Sequence, residues 1–194
     1  LVEFIDGLSI TERLPPGYDG VAAVNSLGEQ LTDALAAIAT APWQQLGLEK
    51  FGNPDNFLRR QIERWLGTRE KSAVRELPQL FTLGQWLLDN LPTRGPTGIV
   101  HGDYHLDNTL CSADKPELLA VIDWELSTLG HPISDLAYNC LPYFFPSMPL
   151  MSGLYGMPLC KLGIPSVFPY VKRYVVNTGR AGFVTDWGYH LGLS

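Results

Sequence analysis

Several features that mark other classes of protein are scarce or missing in this sequence. Its 194 residues include three cysteines, Cys111, Cys140 and Cys160, whose odd number and lack of pattern indicate reduced thiols and no disulfide framework. No apolar run reaches the roughly 18 residues that a membrane span requires. The first residues lack the basic flank and apolar core of a signal peptide. We therefore expect a soluble, cytoplasmic protein.

Positive charge is also scarce, because 14 Lys and Arg residues stand against 20 Asp and Glu residues, for a net charge of −6. This argues against a nucleic-acid partner, since nucleic-acid binding depends on basic patches. No Gly-x-Ser-x-Gly motif is present, so a serine hydrolase is not supported. The length and an apolar content of 45% fit a single globular domain with a sizeable core.

Most of the chain is predicted to be helical. Apolar residues recur at three- and four-residue spacing in three stretches, the first ending near Thr40, the second beginning at Asn53 and the third ended by Pro92. Further helices are predicted from Ile133 to about residue 143, from Pro165, and from about Thr185. We expect the apolar stripes to be core: Leu27, Leu31, Ala34, Leu35 and Ile38; Phe57, Leu58, Ile62, Trp65 and Leu66; Leu80, Leu83, Leu87, Leu88 and Leu91; and Val167, Val171, Tyr174 and Val175.

One β-hairpin is predicted in the middle of the chain. Residues 97–100 form a short β-prone run, and two more apolar runs, 109–111 and 118–122, flank a polar turn that contains a proline. The midpoint between Asn108 and Asp123 falls inside this turn. We therefore expect these two side chains to lie roughly opposite each other at the open end of the hairpin, where they could share a cation.

The residues around this hairpin form a motif with a chemical meaning. His101, Asp103 and Asn108 stand in the order His-x-Asp-x4-Asn, and Asp123 follows fifteen residues after Asn108. That spacing suits phosphoryl transfer, in which one carboxylate accepts a proton and two oxygen ligands hold Mg²⁺. Taken singly, each residue is more often a turn, a cap or buried structure than a catalytic group.

Two stretches carry a resemblance to a known family. His101 to Asn108, and the stretch from Val121 to Tyr138, resemble the aminoglycoside phosphotransferase/choline kinase-like family, most closely the branch fused to, or found beside, acyl-CoA dehydrogenases. Residues 1–7 resemble the hinge between the two lobes of that fold. The resemblance implies an α+β, mostly α-helical fold: the C-terminal lobe of a protein-kinase-like fold with a short catalytic β-hairpin.

The resemblance also implies roles for individual residues. Asp103 would be the catalytic base for an acceptor hydroxyl, with ATP as co-substrate, and Asn108 and Asp123 would hold Mg²⁺. His101 and Asp135 would support the catalytic loop without touching the substrate. The remaining implied contacts are with adenine, through the backbone groups of Glu3 and Ile5.

The sequence departs from the family in lacking a glycine-rich loop and a strand lysine to clamp the phosphates. Both would precede the hinge, so we expect residues 1–7 to be a hinge remnant and residues 8–194 a C-terminal lobe truncated at both ends. Such a fragment would be inactive alone, with the missing N-terminal lobe and an acyl-CoA dehydrogenase as expected partners. The acceptor is a small hydroxyl compound that the sequence does not specify.

Two alternatives remain open at this point. The first is a catalytically inert, kinase-like interaction module attached to another enzyme, although Asp103, Asn108 and Asp123 are all intact. The second is a metal-dependent phosphoesterase that uses His101, Asp103 and His105 as ligands, although the upstream Asp-x-His and downstream Gly-Asn-His of that class are absent.

Overall fold

The structure is a computed structural model that describes residues 3–11, 13–72, 78–92, 95–149, 152–180 and 186–194. Seven α-helices and four short strands alternate with three single-turn 3₁₀-helices within this described part of the chain. The α-helices are α1 (Val21–Thr40), α2 (Phe57–Ser72), α3 (Pro78–Asp89), α4 (Ile133–Cys140), α5 (Leu159–Leu162), α6 (Val167–Thr178) and α7 (Trp187–Leu193). The strands are β1 (Gly98–Val100), β2 (Thr109–Cys111), β3 (Leu118–Val121) and β4 (Thr128–Gly130), and the 3₁₀-helices are Leu106–Asn108, Trp124–Leu126 and Leu141–Phe144.

The main core lies where α1, α4 and α6 meet. Leu35 and Ala39 of α1 pack with Leu136 of α4 and with Tyr174 of α6, and all four side chains are buried. The first helix ends at Thr40 as predicted, because Ala41 precedes a proline and adopts an extended ψ of 134°. The mostly helical α+β fold expected from the sequence is therefore confirmed.

The predicted hairpin is present, but its register differs from the expected one. Strands β2 and β3 pair antiparallel, with Thr109 opposite Val121. A bulge beside Cys111 shifts the pairing, so the residue opposite Asn108 is Ile122, whose N–H donates to the Asn108 carbonyl over 2.9 Å. Asn108 thus lies one residue away from facing Asp123, the position expected from the turn midpoint. The turn itself is centred between Asp114 and Lys115, where the Ser112 N–H donates to the Glu117 carbonyl over 2.9 Å, and the bulge makes up only part of the difference.

Two further strand contacts were not predicted. Strand β1 pairs antiparallel with β4, so the chain segments before the catalytic motif and after Asp123 lie side by side. Leu8, just after the segment predicted as the hinge, bridges to Cys111 through two backbone hydrogen bonds of 2.8 and 2.9 Å. Residues 1 and 2 of the predicted hinge lie outside the described residues.

Some residues predicted to be core are exposed. Trp65 of α2 is 58% exposed, and Leu80 and Leu83 of α3 are 41% and 38% exposed. In the same helices Ile62 and Leu87 are buried. The periodicity therefore identified the helices and their inward faces, but both stripes extend beyond the surface that the neighbouring elements cover.

The last predicted helix also forms, as α7, which begins at Trp187; Thr185, where its start was predicted, lies outside the described residues. None of the helices in the described segments is long and apolar enough to span a membrane.

The turn of the hairpin is tied to the helical scaffold. The Tyr18 hydroxyl contacts the carbonyl groups of Ser112, at 2.6 Å, and Lys115. Gln30 of α1 donates to the Pro116 carbonyl over 2.9 Å and accepts from the N–H of Leu118 over 2.9 Å. These contacts fix the hairpin relative to α1.

Candidate active site

The loop between β1 and β2 carries the predicted catalytic motif, and Asp135 of α4 holds its backbone. The buried Asp135 carboxylate accepts from the N–H of His101 over 2.6 Å and of Gly102 over 2.9 Å. Gly102 has a φ of 90°, and a Cβ there would lie 2.7 Å from the Leu126 carbonyl oxygen. Only glycine fits this turn, which immediately precedes Asp103.

Burial raises the pKa of Asp135 to about 6, while its two backbone N–H donors act in the opposite direction. The carboxylate is therefore ionised at neutral pH, when both of its oxygens accept a backbone hydrogen bond.

His101 is fully buried, and its ring faces the backbone. Its Nε2 lies 2.8 Å from the Ile122 carbonyl, and its Nδ1 accepts from the N–H of Asp103 over 3.3 Å. Trp124 packs against the ring with centroids 4.8 Å apart. Because both ring nitrogens contact the backbone, His101 ties the start of the loop to the end of β3 and leaves no nitrogen for a ligand.

The Asp103 carboxylate is surrounded by polar side chains. Asn108 donates from Nδ2 to the Asp103 backbone oxygen over 2.9 Å and to Oδ2 over 3.1 Å. His105 Nε2 lies 3.3 Å from Oδ1. Burial and then the neighbouring Asp103 raise the pKa of the Tyr138 phenol to about 12, so it remains protonated beside the carboxylate. With 31% of its side chain exposed, Asp103 can still reach a substrate hydroxyl.

Two residues of the motif, Asn108 and Asp123, offer oxygen ligands for a cation. The amide nitrogen of Asn108 is engaged with Asp103, which leaves its Oδ1 as the atom available to a cation. Asp123 is exposed and adopts a left-handed φ of 62°, a conformation that Asp tolerates better than most residues. Carboxylate and amide oxygens are the hard donors that Mg²⁺ prefers, with water and phosphate oxygens completing its shell. The donor set therefore fits Mg²⁺.

The phosphoesterase alternative would need a denser ligand cluster. Within the described residues, no group of three or more His, Cys, Asp and Glu side chains could hold a metal ion. The buried His101 ring, turned toward the backbone, accounts for the failure of His101, Asp103 and His105 to converge.

The backbone groups predicted to meet adenine, those of Glu3 and Ile5, lie in the segment that leads to Leu8. Glu3 is exposed and Ile5 is half-buried, and the segment reaches β2 through the bridge from Leu8 to Cys111. The end of this segment therefore pairs with the strand that directly follows Asn108.

A cavity of about 640 Å³ opens beside the catalytic loop. Its wall is mainly apolar, and its polar groups are largely occupied: Tyr143 donates to the Pro165 carbonyl and Tyr170 donates to Asn139, each over 2.6 Å. Among the described residues that line the wall, Asp107 is the one carboxylate. The apolar lining consists of Leu14, Val24, Leu27, Leu31, Leu106, Leu141, Pro142, Phe145, Leu154, Ile164 and Pro165.

Two residues at the mouth of this cavity were not among the predicted site residues. His105 and Tyr138 both contribute to its wall and both face Asp103. Sequence reasoning considered His105 only as a metal ligand of the phosphoesterase alternative. Tyr138 could have been found from spacing, because it lies three residues after Asp135 and so on the same face of α4.

Three features of this site fit a kinase-like phosphotransferase lobe. A buried carboxylate anchors the loop, a second carboxylate lies beside an amide, and the hairpin ends in an exposed Asp. Sequence comparison agrees, since the profile of the phosphotransferase enzyme family matches residues 1–151. The chain belongs to this family.

Comparison with individual proteins supports the same assignment. A Ralstonia eutropha protein assigned to the aminoglycoside phosphotransferases superimposes with a TM-score of 0.90 at 36% identity, over 98% of this chain and 58% of that one. A phosphotransferase crystallised with GDP and kanamycin shares the fold at 16% identity, with a TM-score of 0.57, over 94% of this chain and 57% of that one.

The curated relatives are larger proteins. Acyl-CoA dehydrogenase family member 10 of Mus musculus is 33% identical over the whole chain, and member 11 of Homo sapiens is 31% identical. The chain spans 18% and 25% of their respective lengths. The lobe described here is thus similar to one part of these dehydrogenase family members.

Proposed function

We propose that this chain is the catalytic lobe of a small-molecule kinase that transfers the γ-phosphoryl group of ATP to a hydroxyl group. The observation that carries the proposal is the contact between Asn108 and Asp103, which leaves one carboxylate oxygen facing His105 and one amide oxygen available to a cation. The family and the fold support a phosphotransferase. The adenine contacts, from the backbone of Glu3 and Ile5, and a partner dehydrogenase belong to the proposal as well.

Each residue has a distinct role in the proposed reaction. Asp103 accepts the proton of the acceptor hydroxyl, or orients that hydroxyl, as the oxygen attacks the γ-phosphorus. Asn108 Oδ1 and the Asp123 carboxylate would hold Mg²⁺, which neutralises the charge on the phosphate oxygens when it is bound. His101 and Asp135 keep the loop in place through backbone contacts.

The cavity supports an acceptor with an apolar body. A polycationic aminoglycoside would require several carboxylates, whereas the described residues of this wall offer one, Asp107, among mainly apolar side chains. Aliphatic chains gain free energy on entering such a wall, by about 25 cal/mol per Å² of apolar surface removed from water. We therefore propose a hydroxylated aliphatic compound as the acceptor class.

The test uses the natural full-length protein with Mg·ATP and two probe alcohols, 8-hydroxyoctanoate and kanamycin. We expect acceptor-dependent ADP release with 8-hydroxyoctanoate and little with kanamycin. Asp103→Asn should lower kcat by roughly 10²- to 10⁴-fold, because general-base contributions have that size, while nucleotide affinity stays within about threefold of wild type. Asp114→Asn, the same change on the exposed hairpin turn, is the matched control and should retain activity.

The outcomes separate the parts of the proposal. Undiminished turnover by Asp103→Asn would remove the base assignment. Phosphorylation of kanamycin alone would overturn the acceptor class and leave the kinase assignment intact. Failure of every alcohol, together with a lack of Mg·ATP binding, would favour an inert interaction module.

A further inference from the structure

His105 lies between the catalytic carboxylate and the acceptor cavity. Its Nε2 is 3.3 Å from Asp103 Oδ1, and its ring contributes to the wall of the cavity beside Tyr138, with ring centroids 6.4 Å apart. Its Nδ1 lies 3.8 Å from Asp107 Oδ1, beyond direct hydrogen-bond distance. The ring therefore has one edge toward the proposed base, while the same side chain borders the space proposed for the acceptor.

Counting hydrogens indicates which nitrogen of this ring is protonated. Asn108 Nδ2 lies within hydrogen-bond distance of three acceptors, namely the Asp103 backbone oxygen at 2.9 Å, Asp103 Oδ2 at 3.1 Å and His105 Nε2 at 3.2 Å. An amide group has only two hydrogens. The two Asp103 oxygens take both hydrogens: Oδ2 because hydrogen bonds to charged acceptors are the stronger ones, and the backbone oxygen because it is the nearest of the three acceptors.

With the Asn108 hydrogens occupied, a bare Nε2 lone pair would face the negative Oδ1 of Asp103. A hydrogen on Nε2 turns this repulsion into an attraction. Asp103 would then have both oxygens held, Oδ2 by Asn108 and Oδ1 by His105. The groups facing this pair are the Tyr138 phenol from α4, the Asp135 carboxylate behind the loop and the exposed Asp107.

We propose that His105 is a positioning residue for Asp103: its ring donates from Nε2 to Oδ1 and, with Asn108 on Oδ2, holds the carboxylate toward the acceptor cavity. This inference rests on the proposed function, in which Asp103 is the base. It adds a role that is distinct from metal binding and from loop support. The ring acts through Asp103, so it sets how often the carboxylate points at the acceptor hydroxyl.

The kinetic test separates positioning from a simple wall contact. His105→Ala in the full-length protein should lower kcat for 8-hydroxyoctanoate by about 10- to 100-fold, because a misoriented catalytic group costs that much, with KM changed by less than about threefold. His105→Gln should recover part of the loss, since its amide can donate to Oδ1. Glu49→Ala, an exposed change far along the chain from the motif, is the control.

A second measurement needs no acceptor. Labelling the histidines of the full-length protein with ¹⁵N gives one ring system for each histidine, and His105→Gln identifies the signal of residue 105. We expect a protonated Nε2 in the wild type. In Asp103→Ala, the freed hydrogen of Asn108 can reach Nε2, and the ring should switch to the tautomer with its hydrogen on Nδ1.

An unprotonated Nε2 in the wild type, or no change of the signal in Asp103→Ala, would overturn the inference. So would a raised KM with unchanged kcat in His105→Ala, which is the signature of a wall contact. If Asp103→Asn turns over normally, the proposed function fails first. If Asp103→Asn is inactive while His105→Ala is fully active, this inference alone fails. If 8-hydroxyoctanoate is not a substrate, the tautomer measurement decides.

Discussion

Helix α4 makes different kinds of contact with the two regions that it packs against, the catalytic loop and helix α7. Toward the catalytic loop, the buried polar groups are paired, since Asp135 accepts two backbone hydrogens and both ring nitrogens of His101 have partners. Toward α7, the rings of His131 and His190 stack with centroids 4.4 Å apart. There His131 Nδ1 and His190 Nε2 have no hydrogen-bond partner among the described residues.

This difference separates two sources of order. The catalytic loop is fixed by directional contacts that define one geometry, as a site for chemistry requires. Helix α7 is attached to α4 mainly by packing and by two uncharged histidines, with one side-chain contact of 3.3 Å between Ser134 Oγ and His190 Nδ1. Burial lowers the pKa of His131 to about 4 and that of His190 to about 3, with the neighbouring His131 adding to the effect at His190.

We expect the largest effect on stability from removing the Asp135 carboxylate, which accepts the backbone hydrogen bonds of the catalytic loop. Asp135→Ala leaves the N–H groups of His101 and Gly102 buried without an acceptor. Each such group costs about 1–3 kcal/mol, so we expect the free energy of unfolding to fall by roughly 3 kcal/mol, measured by urea unfolding at pH 7. Asp135→Asn, which keeps one acceptor oxygen, should lose less. Equal losses in the two variants would contradict the assignment.

Low pH should lower the free energy of unfolding through His131 and His190, which pack between α4 and α7. Both histidines have folded pKa values below their unfolded value of about 6.5, so their stabilising contribution is complete above pH 6.5 and is lost as the pH falls toward 4. Asp135 has the opposite effect. Because its pKa is raised to about 6, its contribution to the stability of the folded protein increases as the pH falls below 6. Because the loss from the two histidines exceeds the gain from Asp135, we expect the free energy of unfolding to fall by roughly 3 kcal/mol between pH 6.5 and 4.

His190→Gln provides the check on this pH dependence. Unfolding curves at the two pH values should show a clearly smaller loss for the variant than for the wild type, because one of the two titrating groups is gone. A loss of the same size in both proteins would mean that other groups cause the acid sensitivity.

The smallest effect on stability is expected at Asp123. Its side chain is exposed, so Asp123→Ala should leave the free energy of unfolding within about 0.5 kcal/mol of wild type. Binding of Mg·ATP to the full-length protein should nevertheless require a higher Mg²⁺ concentration, measured by titration. An unchanged Mg²⁺ requirement would remove Asp123 from the proposed metal site. Comparison of Asp135→Ala with Asp123→Ala would therefore distinguish a structural carboxylate from a functional one near the same loop.

The sequence predicted the elements better than their contacts. Helical spacing located α1 and its inward face because the same residues that repeat also pack. It placed Trp65 and Leu80 in the core because periodicity identifies an apolar face but not the extent of the surface opposite. The hairpin was predicted from its turn, and its register was missed by one residue because the centre of the turn and the bulge beside Cys111 both depend on packing that no local pattern records.

The site was predictable where one motif holds all of its parts. Asp103 and Asn108 lie within a single turn of chain and contact each other. The contribution of Tyr138 was missed because it arrives from a separate helix, thirty-five residues after Asp103. A motif contains residues that are close in the sequence, whereas residues from α1, α4 and the loops between α4 and α6 come together to form the cavity wall.

The left-handed backbone at Asp123 has a consequence for how this lobe can vary. Gly, Asn and Asp are the residues that most readily adopt a positive φ, and of these only Asp also offers a charged oxygen. The backbone shape and the proposed cation site thus favour the same side chain independently. A lineage that loses activity would be freed from one constraint but not from the other, so Asn or Gly would be its natural replacement at this position.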